Sequence, residues 1–169
     1  MKAVCLAGAV LTLLVLAACA RPAPRLAAAS TADSAAVARI VATFDSCAAA
    51  GALDVFMGYV DDSVVSLMPD QPATVGKEAV REFYRNFYGT FNIEMRHAPV
   101  ETYAIGDLVV SRGDASGTLT PKAGGSPTSF NNKYLMLFRR QADGSLKVWR
   151  VAANTNAPPT PPPAAAPRR

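Results

Sequence analysis

The fold is decided by the stretch Asn132-Lys133-Tyr134-Leu135-Met136-Leu137-Phe138-Arg139-Arg140-Gln141-Ala142-Asp143-Gly144-Ser145-Leu146-Lys147-Val148, near the C-terminal end of the chain. Apolar and aromatic residues dominate on both sides of Asp143-Gly144, a dipeptide that is typical of tight turns. The stretch therefore predicts two antiparallel strands, over residues 130–139 and 146–154, joined by a hairpin turn.

The residues before this hairpin alternate with a period of two, as strands do. Ile93, Met95 and His97 share one face, and Pro99 predicts a bulge or a sheet edge. The next strand is predicted over residues 108–120. One of its faces carries Val109, Ser111, Gly113, Ala115 and Gly117. Such small residues predict either a sharp bend in the sheet or a bulky group pressed against it.

The first half of the domain has the period of helices. Ser30 and Asp33 resemble a helix cap, and Gly51 ends the helix that follows. Its predicted buried stripe is Val37, Ile40, Val41, Phe44, Cys47 and Ala48. A short helix over 52–59 and strands over 63–68 and 74–75 lead to a third helix over 77–90. The stripe predicted for that helix is Val80, Phe83, Phe87 and Phe91, with Tyr84 and Tyr88 beside it.

This order of elements predicts an α+β domain in which three N-terminal helices pack on a curved, mostly antiparallel sheet. Residues 132–148, together with 51–54, 59–64, 75–80 and 106–108, resemble the nuclear transport factor 2-like superfamily, and within it the SnoaL-like or ketosteroid-isomerase-like branch. The resemblance spans residues 35–156 and implies a cone-shaped cystatin/ketosteroid-isomerase-like fold. Leu146 and Val151 depart from this branch, which usually has Trp at the first position and often Asp at the second.

The resemblance also implies where an isomerase would carry its chemistry. The steroid isomerases use an Asp base late in the first strand, and Leu67 occupies that position. Their first-helix Tyr corresponds to Phe44, and their second oxyanion donor maps near Tyr134. Proton abstraction next to a carbonyl needs a base and a donor in one cavity. Steroid-isomerase chemistry is therefore disfavoured, and the sequence leans against an enzyme.

Three side chains are candidates for ligand contact or catalysis inside the cone. His97, the only histidine, lies on the apolar face of its strand. It is either a general base or a core residue whose ring bonds a backbone carbonyl. Tyr134 is the second catalytic candidate. Tyr84 and Tyr134 are also candidate ligand contacts, the alternative being core aromatics.

Two more candidates lie on the last strand. Arg150 and Asn154 are predicted to share an inward face, from which they would contact the ligand. An inward Arg150 favours an anionic or carbonyl-bearing ligand. The alternative is a buried ion pair with a carboxylate such as Asp45 or Glu101.

The N-terminus predicts export. Residues 1–18 combine a positive charge at Lys2 with an uninterrupted apolar run, as signal peptides do. Leu16-Ala17-Ala18-Cys19 resembles the lipobox of bacterial lipoproteins, which implies lipidation of Cys19; an ordinary secretory signal is the alternative. Because Ala20 follows the cysteine, the resemblance implies an outer-membrane anchor facing the periplasm. Residues 19–29 are then a tether, followed by the domain over 30–156.

Cysteine and charge counts exclude other kinds of site. Cys5 lies in the signal and Cys19 is the anchor, so Cys47 remains alone, and neither a disulfide nor a cysteine metal site is predicted. Of 17 Lys and Arg, five lie outside residues 30–156, which hold all 13 Asp and Glu and carry a net charge of −1. No basic face for nucleic acid is predicted. Residues 157–169 predict an extended Pro/Ala-rich tail, either solvated or a Pro-rich ligand.

Three functions remain open from the sequence. The first is a lipid-anchored domain that binds a small apolar or amphipathic ligand in its cone. The second is a cofactor-independent isomerase, lyase or hydrolase that uses His97 with Tyr134 or Arg150. The third is an interaction domain with a plugged cavity that forms a homodimer through its sheet. No cofactor and no metal ion is predicted for any of the three.

Overall fold

The structure, a computed structural model, describes residues 25–158. The predicted signal peptide, the Cys19 lipidation site and most of the predicted tail lie outside the described residues. Among residues 25–158, no helix is both long enough and apolar enough to cross a bilayer.

Helix α1 (Thr31–Ala50) begins and ends where the sequence predicts. The Ser30 side chain accepts a hydrogen bond from the backbone N–H of Asp33 at 3.0 Å, which satisfies one of the free donors at the helix start. Gly51 ends the helix with a φ of 68°, a conformation that favours glycine. The predicted stripe is buried, and it includes Cys47 as a free thiol.

The other two helices are α2 (Leu53–Met57) and α3 (Lys77–Thr90). In α3, the prediction of the buried stripe is partly wrong. Tyr84 and Tyr88 are buried with Val80, whereas Phe83 and Phe87 are half-buried. The physical reason is that these two phenyl rings pack against the core on one side and border a cavity on the other.

The sheet has seven strands: β1 (Ala27–Ala28), β2 (Val60–Leu67), β3 (Thr74–Val75), β4 (Phe91–Ile105), β5 (Leu108–Pro121), β6 (Thr128–Arg140) and β7 (Leu146–Thr155). Their order is β1-β4-β5-β6-β7-β2-β3, and only β2 and β7 pair in parallel. The helices pack on one face, the inner face, where Val109 and Phe138 are fully buried. The predicted α+β class with a curved, mostly antiparallel sheet is confirmed.

Strand β1 lies within residues 19–29, which were predicted to be a tether outside the domain. Ala27 and Ala28 pair with Ala104 and Tyr103 at the sheet edge, and the backbone N–H of Ala29 donates to the Thr102 carbonyl at 3.1 Å. An edge strand needs only backbone hydrogen bonds, which small residues supply equally well.

The sheet bends where β4 and β5 cross the inner face. The β4–β5 register shifts between Pro99 and Glu101, which confirms the predicted bulge. A Cβ atom at Gly117 would collide with the carbonyl of Glu94, so the two strands approach there more closely than any side chain allows. At Gly113, the Tyr134 hydroxyl lies 2.7 Å from the position of a Cβ. The Ala98 carbonyl lies even closer to that position, so the close approach of β4 and β5 applies at both glycines and the bulky group at Gly113 alone.

Candidate active site

A cavity of about 290 Å³ lies between the inner face of the sheet and helices α1 and α3. Most of its lining is apolar: Phe44, Met68, Pro69, Phe83, Phe87, Met95, Ala115, Leu119, Phe130, Met136, Val151 and Ala153. The polar lining residues are Gln71, Tyr84, His97, Asn132 and Tyr134. Among the lining residues, Pro69 and Gln71 are exposed and so contact solvent. The cavity has the volume of about ten water molecules.

His97 lines the cavity and is paired with Asp45, which is not among the lining residues; we call the two residues the dyad. The His97 Nδ1 atom lies 2.5 Å from Asp45 Oδ1, and the backbone N–H of His97 donates to Asp45 Oδ2 at 2.8 Å. The two side chains are 6% and 16% exposed, respectively. One carboxylate thus holds both the ring and the backbone of the same residue. Within the described part of the chain, His97 Nε2 makes no hydrogen bond.

Asp45 was not predicted as a functional residue. It was predicted as a possible partner of Arg150, and that pairing is wrong, because Asp45 binds His97. The other suggested carboxylate, Glu101, pairs with Arg112. The predicted backbone carbonyl partner of His97 is also wrong. The sequence held one indication of a role for Asp45: it is a charged residue that directly follows Phe44, beside the buried stripe of α1.

Aromatic rings surround the dyad. The His97 ring lies 5.4 Å from that of Phe44 and 5.2 Å from that of Tyr134, and Tyr84 packs on the other side of Phe44 at 5.3 Å. Tyr84 and Tyr134 therefore line the same cavity as His97. Burial raises the pKa of Tyr84 to about 12, so its hydroxyl stays protonated near neutral pH.

Tyr134 contributes its ring rather than its hydroxyl to the cavity. The hydroxyl is buried over Gly113 and has no hydrogen-bond partner in the described part of the chain. Burial raises the pKa of this phenol, and the nearby Ser111 hydroxyl opposes part of the rise. In this arrangement Tyr134 packs against the His97 imidazole and is poorly placed to donate to a ligand.

The predicted inward positions of Arg150 and Asn154 are wrong. Phe138 pairs with Val148 and Leu137 with Arg150, so Trp149 is left without a partner as a β-bulge. The extra residue reverses the alternation of all the residues that follow it. The guanidinium of Arg150 instead stacks on Trp149, 3.9 Å from the ring centre, and donates to the Ser63 carbonyl. Asn154 is exposed and does not line the cavity.

Val151 and Ala153 take the inward positions on β7. Because of the bulge, Arg150, the one cationic side chain that was predicted to face the cone, does not line the cavity. No Lys, Arg, Asp or Glu is among the residues that line the cavity. An anionic ligand has no charged partner there, and a neutral ligand fits the lining better.

Two of the positions that carry chemistry in steroid isomerases, Leu67 and Phe44, are apolar here and differ in placement. Phe44 lines the cavity, whereas Leu67 is 47% exposed and does not. A base at position 67 would therefore not reach a ligand in this cavity. The dyad lies elsewhere, on β4 and α1.

Two amide side chains at the cavity, Gln71 and Asn132, were not predicted as site residues. Neither belongs to a motif with a chemical signature, so the sequence held no signal for them. Among residues 25–158, no three His, Cys, Asp or Glu side chains come together as metal ligands do.

Comparisons with known proteins agree with this architecture. A ketosteroid isomerase-like protein from Erwinia carotovora atroseptica is 27% identical, with a TM-score of 0.64 over 75% of this chain and 94% of that one. An NTF2-like protein with a cystatin-like fold from Novosphingobium aromaticivorans is 14% identical, with a TM-score of 0.62 over 73% and 82% of the two chains. The cone-shaped fold implied by the sequence is thus confirmed.

A candidate scytalone dehydratase from Novosphingobium aromaticivorans is 9% identical, with a TM-score of 0.69 over 75% of this chain and 85% of that one. At this identity the likeness shows the fold alone. A search of curated proteins found no match to the sequence.

The sequence also matches a family profile described as a SnoaL-like domain, over residues 37–151. This range runs from the buried stripe of α1 to the inward-facing Val151 of β7, and so includes both residues of the dyad. The chain therefore belongs to the family of SnoaL-like domains, within the nuclear transport factor 2-like proteins.

Proposed function

We propose that the domain is a cofactor-independent acid–base enzyme, a lyase or isomerase, that acts on a small, neutral, largely apolar carbonyl compound in the cavity. The observation that carries this proposal is the dyad: His97, on the wall of a largely apolar pocket, has its Nδ1 atom 2.5 Å from a carboxylate oxygen of Asp45. A histidine held by a carboxylate is a common general base.

The carboxylate fixes the tautomer of the base. Asp45 can accept only, so Nδ1 of His97 carries the proton and Nε2 keeps its lone pair. Because the same carboxylate also accepts the backbone N–H of His97, ring and strand are held as one unit. The base is thus oriented before the ligand arrives, which lowers the entropic cost of the reaction.

The expected step is proton removal next to a carbonyl. His97 Nε2 takes the proton from carbon, and the electron pair moves onto the carbonyl oxygen. The neutral Tyr84 hydroxyl and the Asn132 amide are the available hydrogen-bond donors for that oxygen. In a dehydration, the carbon–oxygen bond at the next carbon breaks, and the imidazolium gives its proton to the leaving hydroxide to form water. In an isomerisation, the imidazolium returns the proton to another carbon.

Deuterium uptake tests this chemistry directly. Neutral aromatic β-hydroxy ketones are incubated with the protein in D₂O, and NMR follows exchange at the α carbon and loss of water. His97→Gln and Asp45→Asn are expected to slow exchange by at least about 100-fold. Asp62→Asn is the matched control, because its carboxylate is 91% exposed and pairs with Lys77 at the surface. Equal exchange by the native chain and His97→Gln would contradict the proposal.

The same experiment separates catalysis from binding alone. A ligand that binds saturably, with no exchange above the buffer rate in any variant, favours the non-catalytic binding domain. The open cavity supports either of these functions over an interaction domain whose cavity is plugged.

We also propose that the chain is exported and anchored to the outer membrane through a lipid on Cys19. Residues 1–19 support this proposal through the apolar run and the lipobox-like Leu16-Ala17-Ala18-Cys19. Radioactive palmitate fed to an expressing bacterium should label the native protein and leave Cys19→Ser unlabelled. Label that persists in the variant would contradict the anchor.

A further inference from the structure

A second, much smaller cavity lies in the core next to the candidate active site, and we call it the void. Its volume is about 20 Å³, close to the room that one water molecule or one methyl group needs. All eight residues that line it are buried, and apart from Tyr84 their side chains are apolar. Since a buried water needs about two to four polar partners, the void suits an apolar group better than water.

The void lies where two separate clusters of the hydrophobic core meet. Five of its lining residues belong to one cluster: Ile40, Val41, Met136, Val148 and Val151. The other three belong to the second cluster: Phe44, Phe56 and Tyr84. Side chains at a gap of this size lose packing contacts on one side. An apolar group that enters at this boundary therefore gains contacts that the core itself leaves unmade.

Four residues separate the void from the larger cavity, because they line both: Phe44, Tyr84, Met136 and Val151. Three of the four have little freedom to move. The Phe44 ring lies 4.4 Å from that of Phe56 and 5.3 Å from that of Tyr84, so the two rings hold each other. Val151 is β-branched and therefore stiff at its first side-chain bond. Met136 is unbranched and has three rotatable bonds, which makes it the part of this partition that moves most easily.

We infer that Met136 determines which ligands fit: its side chain turns aside, joins the void to the cavity and so admits a straight alkyl chain on the ligand. This deepens the proposed function, on which it rests for the carbonyl group of the ligand. The carbonyl group lies beside His97, and the end of the chain passes Met136 towards Ile40 and Val148. A branched chain or a further ring does not enter, because the void has the room of a single methyl group.

The two volumes give the chain length at which the void is reached. The larger cavity, at about 290 Å³, has the volume of about ten water molecules and takes a ligand of roughly ten non-hydrogen atoms. Phenyl propyl ketone is about this size. In a cavity with fixed walls, affinity would stop rising at this ketone. Once Met136 moves, each further methylene that enters strengthens binding by up to about 4-fold until the void is full.

Calorimetric titration with alkyl phenyl ketones, from methyl to heptyl, tests the inference through binding alone. The native chain is expected to bind the pentyl ketone about 5- to 15-fold more tightly than the propyl ketone, since two methylenes are added and Met136 must move. Met136→Ile keeps the volume but is stiff at its first side-chain bond, and should reduce this ratio to below about 2-fold. Met136→Ala removes most of the movable side chain and should extend the gain to chains longer than pentyl.

Met68→Ala is the matched control. It removes the same atoms from a methionine that lines only the larger cavity, next to the exposed Pro69. It should change the affinities of both ketones alike and leave their ratio at the native value.

Methyl resonances of labelled methionines locate the chain in the native protein. The pentyl ketone should shift the Met136 signal more than the propyl ketone does, whereas Met57, which lines neither cavity, should keep its position. An equal ratio for the native chain and Met136→Ile would overturn the inference. An unmoved Met136 signal, or no saturable binding of any ketone in the series, would overturn it as well. The native ratio without any deuterium exchange would refute the proposed catalysis and support this inference.

Discussion

Removal of the Asp45 carboxylate should separate the structural contribution of the dyad from its chemical one. Asp45→Ala deletes both contacts that tie α1 to β4 at this point, the one to Nδ1 of His97 and the one to its backbone N–H. Each hydrogen bond to a charged group contributes ~1.5–3 kcal/mol. Breaking a buried pair by removing one partner costs ~3–5 kcal/mol. Since Asp45 is 16% exposed, water can replace part of the loss, and we expect a decrease of about 3 kcal/mol in the free energy of unfolding.

Asp45→Asn is the matched variant that retains the shape of the side chain. Its amide oxygen can still accept the backbone N–H of His97, while its amide nitrogen donates to Nδ1. Nδ1 then becomes an acceptor and the proton moves to Nε2. This variant should lose less than about 1.5 kcal/mol of stability, because both contacts remain possible. It should still lose the proposed exchange activity, since the lone pair of the base no longer faces the cavity.

Urea unfolding followed by the fluorescence of Trp149, the only tryptophan, measures both variants. Asp62→Ala is the control. Its carboxylate is 91% exposed, and we expect a change below about 0.5 kcal/mol. A loss of less than about 1 kcal/mol in Asp45→Ala would refute the reasoning, because the carboxylate would then not hold α1 to β4. Asp45→Asn with full activity would refute the assignment of the tautomer.

Three further predictions concern other parts of the domain. Tyr134→Phe should leave the free energy of unfolding unchanged or raise it by up to ~1 kcal/mol in urea titrations, because the hydroxyl is buried without a partner; a clear loss would indicate a hydrogen bond. The hydrogen bond from Arg140 holds the pKa of Asp33 below its usual range. The contribution of Asp33 to stability is therefore present above about pH 4 and is lost as the pH falls through the lowered pKa. In thermal unfolding, Asp33→Asn should reduce the loss of stability at acid pH. The homodimer predicted through the sheet should weaken in Leu135→Glu, because Leu135 is 45% exposed on the outer face; sedimentation that is equal to that of the native chain would contradict this interface.

Local patterns predicted most of the fold. The ends of α1 follow from Ser30 and Gly51, and the strands follow from the period of two, because caps and alternation depend on neighbouring residues only. The bulge at Trp149 was not predictable, since it depends on how two different strands fit beside β7. One inserted residue therefore changed which side chains of β7 face the cavity.

Only part of the candidate site was predicted, because local patterns do not show which distant residues meet. His97 was identifiable from its type and its place on an apolar face. Its partner Asp45 is 52 residues away in sequence, and only the packing of α1 on β4 brings the two together. The buried tyrosines of α3 show the same limit of sequence-based prediction. Which side of this helix is buried depends on where the cavity lies, and the helical period alone does not show that.

The pairing of β1 with β4 places the first strand of the domain at one end of the sheet. Ala27 lies opposite Ala104, next to the β4–β5 turn. Leu119 of β5 and Phe130 of β6, which line the cavity, lie near the other end of the sheet. From Val109 to Leu119 the chain advances ~30 Å along β5. A probe or linker attached at β1 would therefore lie far from this side of the cavity and leave the lining at Leu119 and Phe130 unobstructed.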